Sequence, residues 1–329
     1  MKEYAIGFDV GGTKCAVILG HLVPDSPPVI MGKEKFATVE FRDPYRCLDE
    51  MCRLTECLLQ TYAIPKEQIC GIGISCGGPL DPTRGIVQSP PNLPGWDDIP
   101  AVEYVRKQIG LDAKLENDAN ACALAEWKFG AGRGTANMIF LTFGTGLGAG
   151  IIANNALIPG HNGMAGECGH IRLAEDGPVG YGKAGSFEGF CSGGGIARLG
   201  QMRAKAALDH GTPFAWCPDA EAVSGITARS IAEAADQGDR DALAIYEDCG
   251  TRLGEGLSIL IDILNPERIV IGSIFARSEN LIRPAMEKKI RREALSISAD
   301  VCKVVPAELG ESIGDMASLA IAADHFSPR

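Results

Sequence analysis

The chain has 329 residues, of which 46% are hydrophobic, a formal charge of -11 and 12 cysteines. That length and apolar fraction allow a sizeable core and suit two domains, while the acidic balance excludes a general affinity for nucleic acid or anionic lipid, because the long-range field repels polyanions. The opening Met1-Lys2-Glu3-Tyr4-Ala5-Ile6-Gly7-Phe8-Asp9 lacks the uninterrupted apolar stretch of a signal peptide and no later run approaches membrane-spanning length, so a soluble cytoplasmic protein with no membrane partner is expected.

Tyr4 to Asp9 alternates as a strand does, Val10-Gly11-Gly12-Thr13 is a turn, and Lys14 to Leu19 resumes a strand. This makes a hairpin with a glycine-rich tip, and Val29 to Val39 supplies a third strand. Asp43 to Tyr62 reads as a helix carrying Cys47, Cys52 and Cys57. With no Cys-x-x-Cys pair in the chain, these read as small buried thiols rather than metal ligands. Ile69 to Ser75 is a strand leading into Cys76-Gly77-Gly78-Pro79, and Ser89-Pro90-Pro91-Asn92-Leu93-Pro94-Gly95-Trp96 is a stiff loop, because its prolines remove donors and fix the backbone. A rigid connection and a binding loop fit that stretch equally well.

Ala113 to Leu115 ends a strand and Ala119 to Phe129 is a helix, so Asn117 and Asp118 lie at a junction where a side chain is exposed yet rigidly held. That is a good seat for a catalytic carboxylate. The apolar run Met138 to Phe143 then enters Gly144-Thr145-Gly146-Leu147-Gly148-Ala149-Gly150, whose alternate glycines let backbone N–H groups approach an anionic ligand. Val10 to Ala16 lines up with Phe143 to Ala149, a weak internal repeat suggesting two related lobes that face one nucleotide.

Neither turn fits the commoner phosphate motifs. Gly7 and Gly12 have P-loop spacing, but Thr13-Lys14 follows where Lys then Ser or Thr is required, and a strand comes next. Gly144 to Ala149 satisfies the permissive dinucleotide pattern with Glu167 about 20 residues on, yet Gly150-Ile151-Ile152-Ala153 reads as a return strand. Beyond it, Glu167 and His170, and then Glu188, stand among glycines and form a candidate site, although a lone histidine is usually structural. Thr227 to Asp236 and the long apolar Asp241 to Leu264 read as helices, Arg268 to Gly272 and Val301 to Val305 as strands, and Gly314-Asp315-Met316 opens a last helix reaching about His325. The order of elements is α/β with mixed sheets.

Six stretches, in this order, resemble motifs of the ROK family of sugar kinases and sugar-responsive repressors, within the actin and hexokinase superfamily. They are Asp9 to Lys14, Asn92 to Trp96, Glu116 to Asn120, Gly144 to Gly148, Glu167 to His170 and Asn265 to Gly272. The resemblance implies two ribonuclease-H-like lobes with a nucleotide and sugar cleft between them, a small lobe of residues 1–118 plus 311–329 and a large one of 119–310. It implies ATP-dependent phosphorylation of a hexose, with Asp118 as general base toward the 6-hydroxyl. Gly78, Asn92, Asn117, Glu167, His170 and Glu188 would hold the sugar. Gly11, Gly12, Thr13 and Lys14, with Gly144, Thr145, Gly146 and Gly148, would surround the phosphates of ATP; Asp9 would sit near Mg²⁺ and Gly272 by the adenosine. Family members are commonly dimers, so a homodimer is expected, with the apolar Leu253 to Leu264 as a candidate partner face.

The family often carries three further cysteines after its histidine, giving a zinc site beside the sugar. Here Val179, Tyr181 and Ser186 occupy those positions. No structural zinc is therefore expected, His170 is left to serve the sugar directly, and the loop must be fixed by packing, with Tyr181 and Phe187 as anchors. Three rival readings are a family repressor, a catalytically silent sugar sensor and a nicotinamide dehydrogenase built on Gly144 to Ala149. The repressor needs a DNA-reading module ahead of a first strand that already begins at about Tyr4, the sensor has Asp118 and both turns against it, and a melting shift with ATP or with NAD discriminates the third. Which hexose is used depends on loops rather than motifs.

Overall fold

A glycine-tipped hairpin begins the chain in the computed structural model, which describes residues 2–24 and 26–326. Strands β1 (Tyr4–Val10), β2 (Lys14–His21) and β3 (Val29–Ala37) pair antiparallel. The third strand stops short of the expected Val39, because Thr38 turns inward and its N–H and Oγ1 donate to Thr13 O at 3.0 Å and Gly11 O at 2.6 Å. Helix α1 (Pro44–Thr61) is capped by Asp43, which accepts the Arg46 N–H at 2.9 Å, and starts with Pro44 at its first position. It buries Cys47, Leu48, Met51, Cys52 and Leu58, whereas Cys57 faces solvent, against the expectation that all three of its thiols are buried. Then come β4 (Ile69–Cys76), the short β5 (Leu80–Asp81) and β6 (Ile86–Val87), α2 (Ala101–Ile109), β7 (Ala113–Asn117) and α3 (Asp118–Phe129). The sheet order is β3-β2-β1-β4-β7, and β1, β4 and β7 are parallel.

The remaining elements are β8 (Met138–Leu141), β9 (Ala149–Ala153), β10 (Ala156–Leu157), β11 (Val179–Gly180), β12 (Lys183–Ala184), α4 (Phe187–Phe190), α5 (Gly193–Asp209), α6 (Ala220–Val223), α7 (Ala228–Asp236), α8 (Arg240–Leu264), β13 (Arg268–Ile271), α9 (Ile274–Arg277), α10 (Glu279–Glu293), α11 (Ser296–Ala299), β14 (Lys303–Pro306) and α12 (Ile313–Phe326). Contacts group the chain into two compact units: one holds residues up to Ala136, Gly150–Ala165 and those from Glu308 on, the other Asn137–Ala149 and Gly166–Ala307. In the second unit β13 pairs parallel with both β8 and β14. Strand β14 begins two residues later than expected, because turn bonds from Asp300 N to Ser296 O and Cys302 N to Ala299 O hold Val301 outside it. Leu253, Leu257, Leu260 and Ile261 of α8 are buried, so most of the apolar face expected to await a partner is used inside this unit, chiefly against α10; Ile263 stays exposed. Among the described residues no helix is long and apolar enough to cross a membrane.

Two features hold the first unit together. At the end of α3 the fully buried Glu126 carboxylate accepts N–H groups from Ala131, Glu308 and Leu309 at 2.8, 3.2 and 2.9 Å, which ties α3 to the segment leading into α12. Helix α12 buries Ala317 to Ala322 on the sheet at very short range. A Cβ added at Gly7 would lie 2.1 Å from Ser318 Oγ, and one at Gly73 would lie 2.0 Å from Ser318 O. Backbone cannot yield as a flexible side chain can, so Gly73→Ala should destabilise by about 1–3 kcal/mol, the usual scale of overpacking. Urea denaturation checks this, and an unchanged midpoint would mean that the helix shifts away at no cost.

Candidate functional site

Parallel strands in register bring their ends level, and in the first unit Val10, Cys76 and Asn117 lie side by side at the carboxyl ends of β1, β4 and β7. Open α/β sheets place ligands beyond that edge. Asp9 stands one residue before it, Gly11 to Lys14 and Gly77-Gly78 just beyond it, and Asp118 at the first position of α3. The first turn is closed by the Gly11 N–H on Lys14 O at 3.2 Å and pinned by Thr38. Asn92 comes to it from the proline-rich loop: a Cβ on Gly12 would lie 2.5 Å from Asn92 O, and one on Gly77 would lie 3.5 Å from the Asn92 amide. At Gly78 a Cβ would lie 3.2 Å from Asn117 Nδ2, so Gly12, Gly78, Asn92 and Asn117 belong to one neighbourhood. The proline-rich loop also borders a recess of about 340 Å³, lined in part by Gly12, Arg42, Asn92, Pro94 and Trp96.

The strand-to-helix junction is rigid for identifiable reasons. Asn117 Oδ1 accepts the Ala119 N–H at 2.9 Å as the helix cap, and Asp118 Oδ1 shares the same donor at 2.8 Å. Behind them the buried Glu116 accepts the Asn117 N–H and the Asn120 amide, both at 3.0 Å. Asp118 keeps an exposed surface although protein surrounds it on its other sides; desolvation raises its pKa and the Ala119 N–H opposes the rise. Sequence reasoning missed the partners of Asp9. Lys33 grips both oxygens of Asp315 at 2.6 and 2.8 Å, and a Cβ on Gly314 would lie 3.5 Å from Asp9 Oδ2. The half-buried Asp9 is pushed up from 3.8 to about 6, by burial first and then by Asp315, with Lys33 opposing and Asp118 adding.

In the second unit Leu141, Ile271 and Pro306 are level at the ends of β8, β13 and β14. The turn after β8 closes on itself, with Thr142 N–H on Gly148 O at 2.9 Å and Gly148 N–H on Thr142 Oγ1 at 2.8 Å. Glu188 Oε2 accepts the Leu147 N–H at 3.1 Å. A Cβ on Gly169 would lie 2.1 Å from Leu147 O, so the backbone between Glu167 and His170 rests directly on this turn. Gly144 to Gly148, Glu167, His170 and Glu188 are thus gathered together, and the Gly272 N–H on Leu141 O at 3.0 Å sets Gly272 beside them. A cavity of about 750 Å³ opens here, lined among others by Gly144, Thr145, Gly193, Thr227, Tyr246 and Ser273. The part contributed by α5 was not read from sequence, since Gly193-Gly194-Gly195 hides a helix start that Ser192 caps through the Gly195 N–H at 2.9 Å.

An acid whose pKa is raised on folding is easiest to keep when protonated. Ionised Asp9 therefore costs the folded state free energy that appears as pH climbs from 3.8 to about 6 and is constant above. Asp9→Asn should match the wild type in stability near pH 4 and exceed it by about 1–2 kcal/mol at pH 7.5, the shift discounted for partial exposure. Urea melts of both proteins at the two pH values test this, and a variant less stable at pH 7.5 would refute it.

Residues 5–325 match the model of the ROK family. The chain is 33% identical over 320 residues to a glucokinase of Streptomyces coelicolor, covering 94% of both proteins. Its fold is similar to that of a ROK family glucokinase from Streptomyces griseus solved in complex with glucose and AMPPNP, with a TM-score of 0.70, 30% identity and 98% of each chain covered. It is similar also to a ROK family transcriptional regulator, a homologue of the E. coli MLC protein, with a TM-score of 0.82 and 25% identity over 98% of this chain and 78% of that one. With two sheet-containing lobes of the actin and hexokinase type, the chain belongs to the ROK family.

Proposed function

We propose that this protein transfers the γ-phosphoryl group of ATP to the 6-hydroxyl of a hexose, with Asp118 as general base. The observation that carries the reading is the level alignment of β1, β4 and β7, which delivers a glycine turn, the half-buried Asp9 and a helix-seated carboxylate to one edge. Likeness to glucokinases supports it. The hydroxyl oxygen bonds to the γ-phosphorus, the bond from that phosphorus to the ADP oxygen breaks, and the hydroxyl proton passes to Asp118. Asp118 Oδ1 holds the Ala119 N–H, which leaves Oδ2 to take the proton, and a pKa raised by burial makes it a better acceptor than an ordinary carboxylate.

Phosphoryl transfer asks mainly for positioning and charge stabilisation. Gly11, Gly12, Thr13 and Lys14, and in the second unit Gly144, Thr145, Gly146 and Gly148, would supply backbone and one ammonium group to the phosphates. The 750 Å³ cavity beside Gly272 lies within the size range of small-molecule sites and suits a nucleoside. Mg²⁺ is commonly held by one or two carboxylates together with substrate phosphates, and Asp9 with Asp315 behind it fits that donor set. The ion would neutralise charge on the phosphates. Gly78, Asn92 and Asn117, and in the second unit Glu167, His170 and Glu188, would hold the sugar hydroxyls.

Likeness to a transcriptional regulator supplies the second reading, a sugar-responsive regulator. ADP release measured over a panel of hexoses and N-acetylated hexosamines separates the two, because a regulator binds sugar without ADP release. In the kinase, Asp118→Asn should lower kcat by roughly 10²–10⁴ while sugar affinity stays within a few-fold, since the amide still bonds the hydroxyl but cannot take its proton. Near-normal turnover in that variant would remove Asp118 from the mechanism.

A further inference from the structure

The segment that carries His170 to Glu188 has no metal donors where the family's zinc ligands stand. Among the described residues no group of three or more His, Cys, Asp or Glu side chains could hold a metal. Val179 and Tyr181 point to solvent, and the Ser186 oxygen is engaged as the cap of α4, accepting the Gly189 N–H at 3.1 Å. The residues do not fit zinc. Tyr181 is not the buried packing anchor expected: it is 75% exposed at the hairpin tip, where φ values of 41° for Tyr181 and 76° for Gly182 make the tight two-residue turn, and its ring meets that of His170 edge-on with centroids 6.5 Å apart. Phe187 does serve as an anchor, fully buried against Gly256 of α8, and the buried Phe190 packs on the loop at Gly177.

A hairpin of two residues per strand is marginal by itself. Two cationic side chains tie its second strand to the preceding segment 170–175. Arg172 Nη1 donates to Ala184 O at 2.8 Å and to Glu175 O at 3.3 Å, and Lys183 Nζ donates back to His170 O at 2.7 Å. Residue 172 thus holds the second strand of the hairpin, and a residue of that strand holds the carbonyl of His170. Backbone bonds run alongside, from Leu173 N–H to Gly185 O at 2.8 Å and from Phe187 N–H to Ile171 O at 2.8 Å. Charged donors on carbonyls are the stronger kind of hydrogen bond and need no metal.

We infer that Arg172 and Lys183 form a metal-independent clasp that positions His170 and Glu188, the work a zinc ion does elsewhere in the family. They are positioning residues, since neither is placed on the sugar. The inference rests on the sugar-kinase reading for its kinetic consequence but not for its structural one, and the test separates the two. Amide hydrogen exchange of the full-length protein without substrates should show residues 179–186 losing protection in Lys183→Met and in Arg172→Met, while Lys183→Arg, which keeps a donor, should behave as wild type. Dialysis of the wild type against a chelator should leave that protection unchanged. In the kinetic arm, KM for the hexose should rise about five- to tenfold in Lys183→Met, the scale of one charge-assisted bond lost at a partly exposed position, with kcat and KM for ATP within about twofold. Lys183 lies near the surface, so its loss is compatible with folding. The clasp is overturned if both Met variants keep wild-type exchange, or if chelation of the wild type exposes the hairpin and releases stoichiometric zinc. A wild type that phosphorylates no sugar sinks the kinase reading alone, and the exchange arms still decide the clasp.

Discussion

The spacing between α12 and the first sheet governs more of this protein than any single side chain. On β1, Gly7 and Asp9 are two residues apart and share a face. On α12, Ser318 and Gly314 are four apart and share a face. Two strand residues span about 6.6 Å and four helix residues about 6 Å, so the contact of Ser318 with Gly7 sets Gly314 against Asp9. Any side chain at Gly7 or Gly73 would push the helix outward and withdraw Asp315, with its Lys33, from the acid beside the first turn. Packing and electrostatics of this half of the site are one constraint.

The second unit repeats the plan with different details. Three parallel strands end level in each, a glycine turn follows the strand in the middle of each five-stranded sheet, β1 and β8, and a loop from elsewhere lies on that turn with no room for a Cβ: the Asn92 loop at Gly12, the 167–170 segment at Gly169. What differs is how the turn is held. The first is pinned by a hydroxyl, Thr38, and the second by its own Thr142 and by the carboxylate of Glu188. The alignment of Val10 to Ala16 with Phe143 to Ala149 therefore reflects shared topology, while the side chains that lock each turn come from unrelated places.

That distinction explains what could be read from the sequence. Strand, turn and junction are local, so Tyr4 to Leu19, Ala113 to Phe129 and Met138 to Gly148 declare themselves through alternation, glycines and the Asn117 cap. Lys33 and Asp315 are 282 residues apart, and nothing local marks either as a partner. Helix α5 opens on three glycines that argue against a helix by propensity, and only the Ser192 cap argues for one. Helix α10 carries Pro284 inside it, which argues against a helix in the same way. Arg172 and Lys183 were illegible for another cause. Their partners are main-chain carbonyls, which every residue possesses, so no pairing of residue types betrays them.

Glu188 shows how this second half hangs together. Its Oε2 accepts the Leu147 N–H, and it approaches Gly146 so closely that a Cβ there would lie 2.8 Å from that oxygen. It stands two residues beyond Ser186, the cap of α4, and the following Cys191 N–H returns to Phe187 O at 2.8 Å. The carboxylate is therefore fixed by the short helix and in turn fixes the turn. If it also receives a sugar hydroxyl, as proposed, one carboxylate serves both the sugar and the turn Gly144 to Gly148. Where the family's thiols are replaced by Val179, Tyr181 and Ser186, the segment before Glu188 is instead tied by Arg172 and Lys183, whose partners are main-chain carbonyls of residues 184 and 170.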